Sequence, residues 1–103
     1  MIVEDSKRNH IKSVCSQICS YFDIDEQRVY GKDKFSDACL ARMYCFYILH
    51  HKYNYSISTI GVVFERKRRG IFEVISKGKY LINTQKTYKN MYNEIKTTKI
   101  INQ

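Results

Sequence analysis

The chain has 103 residues, the size of one domain around one core. With 44% apolar and 27% charged residues, no proline and four glycines, it is not disordered, collagen-like or linker-rich, nor a β-sandwich that needs many tight turns. The net charge is +8 and lopsided. Residues 1–53 hold 8 Lys/Arg against 7 Asp/Glu, and residues 54–103 hold 10 against 3, so the second half suits a polyanionic partner.

In chain order the pattern is helical. From Ser6 to Tyr21, Ile11, Val14, Cys15, Ile18 and Phe22 recur every three or four residues, which predicts a helix with one buried stripe. Asp23 is placed to cap a short helical turn, with Glu26 completing a capping box and Gly31 closing it. A charged loop, Lys32-Asp33-Lys34, leads to Ser36 as the cap of a long helix reaching about Lys52. Ala38, Ala41, Cys45, Ile48 and Leu49 form its inner side, flanked by Tyr44 and Tyr47. Asn54-Tyr55-Ser56 is the next break, and Ser56 caps a short helix from Ile57 to Phe64 that buries Ile60, Val63 and Phe64. After Glu65-Arg66-Lys67 a further helix carries Ile71, Val74, Ile75, Gly78 and Leu81 or Ile82 at helical spacing. Thr84 is expected to cap a last helix with Tyr88, Met91, Tyr92 and Ile95 as its stripe, and Thr97 to Gln103 to fray. The reading is a single all-α domain of five to six helices.

The four cysteines do not read as a metal site. Cys15 and Cys19 are four apart on one helical face, no C-x-x-C follows, and His50 and His51 point about 100° apart on a helix. No metal or cofactor is expected, and the thiols read as small buried hydrophobes in a reducing compartment. The apolar run Met43–Leu49 falls far short of the ~20 residues that span a bilayer, and the charges at Glu4, Asp5, Lys7 and Arg8 do not suit a secretory signal. The expectation is a soluble cytoplasmic protein with no membrane partner. No nucleophile turn, matched His–acid pair or phosphate loop is present, so no catalysis is expected. Tyr21, Tyr44, Tyr88 and Tyr92 fall beside apolar helical positions and read as packing rather than as stacking surfaces for bases.

Two short helices joined by a three- or four-residue turn, the second opening on Arg66-Lys67-Arg68-Arg69, have the outline of a helix-turn-helix. In that motif the second helix enters the major groove with its N-terminal end first. Cations there oppose the positive end of the helix dipole by about 0.3–1 kcal/mol each, a cost that a bound phosphate or guanine edge would reverse.

Ile60-Gly61-Val62-Val63-Phe64, the basic turn, and Ile71-Phe72-Glu73-Val74-Ile75-Ser76-Lys77 together resemble the helix-turn-helix of the C-terminal DNA-binding (TrpR-like) domain of the bacterial replication initiator DnaA. Ile18-Cys19-Ser20-Tyr21-Phe22-Asp23-Ile24 with Val29 resembles that domain's opening helix and turn. Ala41-Arg42 sits at its Ala-Arg step, and Leu81-Ile82-Asn83-Thr84 with Tyr88 through Ile95 resembles its closing helix, so the likeness covers residues 11–95. The resemblance implies a similar all-α fold and duplex-DNA binding. It places Arg66 at the family's base-contacting arginine, Arg42 at its phosphate-contacting arginine, Lys34 near its minor-groove arginine, and Ser58 at the start of the first short helix, where backbone amides meet a phosphate. Where the family continues Asp-His-Thr-Thr, this chain has Lys67, Arg68, Arg69 and Gly70, so arginine contacts to guanine or phosphate replace the histidine and thymine-methyl contacts. The family's ATPase module has no counterpart here.

The first functional expectation is therefore duplex-DNA binding with Arg66, Lys67, Arg68 and Arg69 at the groove and Lys34, Arg42, Ser58 and Lys77 on the backbone, in a regulator or accessory protein. The alternative is a derived helical scaffold that binds RNA or an acidic protein partner.

Overall fold

A computed structural model describes residues 2–31 and 36–97. Six helices occupy the described residues, which contain no strand: α1 (Asp5–Phe22), α2 (Glu26–Tyr30), α3 (Ser36–His51), α4 (Ile57–Phe64), α5 (Arg68–Thr84) and α6 (Lys86–Thr97). No helix among them is long and apolar enough to cross a membrane.

The arrangement is organised around α3. Ala38, Ala41 and every residue from Met43 to Leu49 are buried, so this helix is enclosed on all sides. Tyr44 and Tyr47, expected on its flanks, lie inside as well. A helix that offers apolar surface all round must be covered all round, and α1, α2, α4 and α5 all pack against it. α1 contributes the stripe read from its spacing, Ile11, Val14, Cys15 and Ile18, with Cys19 added. α6 packs on α5 and reaches α3 through tyrosines. The Tyr44 hydroxyl donates to the Tyr88 carbonyl at 2.8 Å, and the Tyr47 and Tyr92 rings meet edge to face at 5.4 Å. Tyr44 is thus core, while Tyr88 and Tyr92 are half-buried at its boundary. On the other side Tyr30 stacks on Phe64, which meets Phe46 edge to face, joining α2, α4 and α3.

The punctuation differs from the sequence reading at two helix ends. Asp25, not Asp23, caps α2, its carboxylate accepting the Gln27 N–H at 2.8 Å. Asp23 instead ends α1 in the left-handed region at φ 54°, its N–H returning to the last carbonyls of that helix. A short polar side chain tolerates that conformation, so two aspartates two residues apart divide the work of ending one helix and starting the next. Thr84 does not cap α6. It is the last residue of α5, with its hydroxyl on the Tyr80 carbonyl at 2.6 Å, and Gln85 forms the joint, accepting the Lys89 N–H at 3.1 Å. α3 begins at Ser36, the residue read as its cap, and α6 ends at Thr97, so residues 98–103 of the expected frayed tail lie outside the described residues.

Cys15, Cys19 and Cys45 are buried together at the α1–α3 contact, with the first two sulfurs 4.0 Å apart. Burial pushes the Cys45 thiol well above its ordinary pKa, which fits its reading as a small hydrophobe. Cys39 departs from that reading, since it is exposed. Among the described residues no group of three or more His, Cys, Asp and Glu side chains is placed to hold a metal ion.

Candidate nucleic-acid interface

The unit formed by α4 and α5 is fixed by its joint. Ser56 caps α4, its hydroxyl accepting the Thr59 N–H at 3.0 Å, and Ile60, Val63 and Phe64 anchor the helix in the core. Glu65 then turns the chain in the left-handed region at φ 54°, and the Arg66 N–H donates to the Gly61 carbonyl at 2.8 Å. That approach is possible only because residue 61 has no side chain, since a Cβ there would lie 2.7 Å from the Arg66 carbonyl oxygen. Three residues, Glu65-Arg66-Lys67, therefore separate the two helices. Ile71, Ile75, Gly78 and Ile82 turn α5 inward, and its opposite face looks outward.

α5 begins with no help from a side chain. Lys67 stands at its N-cap in an extended conformation and makes no capping hydrogen bond, and no acidic residue lies in the first turn. Three exposed cations, Lys67, Arg68 and Arg69, stand at this end of the helix, where the free N–H groups and the positive dipole end also lie. Arg69 reaches Glu73 at 3.3 Å, but the two side chains are 90% and 64% exposed, a contact that water weakens. Lys67 and Arg68 have no ion-pair partner among the described residues. Ser58 is half-buried and shares an open depression with Glu65, Arg66, Lys67 and Arg68, so the structure brings it to the basic corner, which also holds one carboxylate.

The other expected site residues are placed differently. Arg66 is half-buried: it lines the same depression, but its guanidinium donates to the Gly31 carbonyl at the end of α2, which ties it to the frame. Its Nε is buried with no hydrogen-bond partner among the described residues. Burial, and then the like charge of Arg42 nearby, lower its pKa from the ordinary arginine value. Arg42, expected on a phosphate, is only 7% exposed. Its Nε donates to Val29 O at 3.0 Å and its Nη2 to Arg28 O at 2.8 Å and Gly31 O at 3.1 Å. The fan of donors that suits a phosphate here satisfies the carbonyls that α2, only five residues long, leaves open. Arg42 is therefore corrected from a surface contact to a buried clamp. Lys77 is exposed but lies about half a turn around α5 from Arg68 and roughly 13 Å further along, on the side facing α3 and α6. Lys34 lies outside the described residues.

Two features of this surface were not read as part of the site. Phe72 and Tyr80 project from the outward face of α5, 57% and 64% exposed. A helical wheel anchored on Ile71 and Ile75 puts Tyr80 opposite the core and Phe72 on the flank, about 80° from the buried stripe, which is the signal that finds them. No protein-family model matches the sequence.

Proposed function

We propose that this chain binds duplex DNA by presenting the start of α5 to the groove, as an accessory or regulatory DNA binder. The observation that carries the reading is the run of exposed cations Lys67-Arg68-Arg69 at a helix start with neither a capping side chain nor an acidic residue in its first turn. Left to itself this arrangement costs stability, and a phosphate or a guanine edge reverses the cost. The resemblance of residues 11–95 to the DnaA C-terminal domain supports the same reading, and so does the three-residue joint between α4 and α5. Arg68 and Arg69 are assigned to guanine O6/N7 or to phosphates, Lys67 and Ser58 to the backbone beside them, and Arg42 and Arg66 to holding α2 and the joint in place. Lys77 stands apart from this surface.

The test compares a labelled duplex, the matching single strand and an RNA of equal length by fluorescence anisotropy at 150 mM salt. The proposal expects clear preference for the duplex and a loss on the order of tenfold or more between 50 and 200 mM salt. Equal affinity for all three, or none for the duplex, contradicts it. A second reading, a scaffold for RNA or an acidic protein partner, draws on the exposed rings of Phe72 and Tyr80 among cations, a mixture that suits unpaired bases. Preference for RNA in the same titration favours that reading.

A further inference from the structure

A groove of about 380 Å³ runs between α3, α5 and α6, on the flank of α5 turned away from Arg68. Leu40, Met43, Val74 and Leu81 give it apolar walls, and Tyr88 adds a ring from α6. Met43 is buried, while Leu40, Val74, Leu81 and Tyr88 are half-exposed, so the walls hold apolar surface that a ligand would remove from water. The volume lies near the lower end of the range for small-molecule pockets.

The charges of the lining select the class of ligand. No Asp or Glu is among the lining residues, and the two cations are Arg42 and Lys77. Arg42 is engaged with the carbonyls of α2. Lys77 is exposed and has no ion-pair partner among the described residues. Glu73, one turn before it on α5, reaches Arg69 instead. An apolar trough with one available ammonium group at its edge complements a molecule with an apolar body and a single negative charge.

We propose that this groove is a binding site for a small amphipathic anion, a molecule of about 20 non-hydrogen atoms whose apolar body lies on Leu40, Met43, Val74 and Leu81 and whose carboxylate, sulfonate or phosphate meets Lys77. The site is independent of the DNA reading, since it uses the other flank of α5.

The probes are 8-anilinonaphthalene-1-sulfonate and N-phenyl-1-naphthylamine, which share the aromatic body and differ in the sulfonate. The proposal expects saturable fluorescence enhancement with one sulfonate probe per chain. Lys77→Gln should weaken that probe about tenfold and leave the neutral one within about twofold, because only the charged contact is lost. Val74→Trp, which fills the trough, should displace both, with folding checked by circular dichroism. Lys77 is an exposed residue, so the glutamine variant carries the test should the tryptophan variant fail to fold. Arg68→Ala should leave both probes unaffected, separating the groove from the basic corner. Cys39 gives a readout without fluorescence: it lines the groove and is the exposed thiol, whereas Cys15, Cys19 and Cys45 are buried. Its alkylation by N-ethylmaleimide, followed by mass, should slow at least about fivefold with the sulfonate probe bound. Non-saturable binding, an unprotected Cys39, or equal weakening of the sulfonate probe by Lys77→Gln and Arg68→Ala overturns the proposal.

Discussion

α4 and α5 follow one another across three residues, yet they begin in opposite ways. α4 opens on Ser56, whose hydroxyl holds the Thr59 N–H, and its first turn bears no charge. α5 opens on Lys67, which caps nothing, and carries Arg68 and Arg69 where an acidic residue would stabilise it. Both helices bury an apolar stripe in the same core, so the difference does not come from packing. It teaches that one start is satisfied within the chain, while the other has no capping side chain and no acidic residue in its first turn, which is what the proposed anion outside the chain would supply. Arginines show the same division. Arg42 and Arg66 meet at the half-buried Gly31 carbonyl, while Arg68 and Arg69 stand in water.

This contrast can be broken residue by residue. The largest effect should come from replacing Arg68 and Arg69 together with Ala: roughly 30- to 1,000-fold weaker duplex binding by anisotropy, as two base or phosphate contacts are lost, with a thermal midpoint that rises rather than falls, because two cations no longer oppose the helix dipole. Arg42→Ala should do the reverse. It leaves the carbonyls of Arg28, Val29 and Gly31 without their donors, and chemical denaturation should show a loss of about 2–4 kcal/mol. Ser56→Ala removes a satisfied cap and should cost about 1 kcal/mol. Lys67→Ser supplies the missing cap to α5 and should stabilise the fold by about 0.5–1 kcal/mol while weakening DNA binding severalfold. A gain in stability with no loss of binding would end the idea that this helix start is kept open for a ligand. The smallest effect belongs to Gly70, in the first turn of α5, where a Cβ would meet nothing within 4 Å. Gly70→Ala should raise stability by about 0.5–1 kcal/mol through helix propensity alone.

The sequence carried local information well and long-range information poorly. Helical spacing located the five longer helices, because a buried stripe repeats every three to four residues wherever the helix packs, and cap and glycine signals located the five-residue α2. The Ser56 cap was legible for the same reason: it acts within three residues of itself. Asp23 and Asp25 were confused because both suit either a helix end or a helix start, and the choice depends on the backbone geometry between them. In the site, the exposed cations were legible as a run, but Arg66 was indistinguishable from its neighbours. Its burial follows from the Gly31 carbonyl, 35 residues away in sequence. Arg42 was misplaced for the same reason, since nothing near it announces that α2 needs a donor. The groove beside Lys77 arises from three helices meeting and has no local signature.

The most direct check is the salt dependence of duplex affinity, measured from 50 to 300 mM KCl for the unaltered chain and for the Arg68→Ala/Arg69→Ala variant. If those side chains meet phosphates or groove edges held by the polyanion's field, the slope of log affinity against log salt should become shallower by up to about 1.8 in the variant. Parallel lines, or an unaltered chain whose affinity does not respond to salt, would show that the open start of α5 does not face DNA.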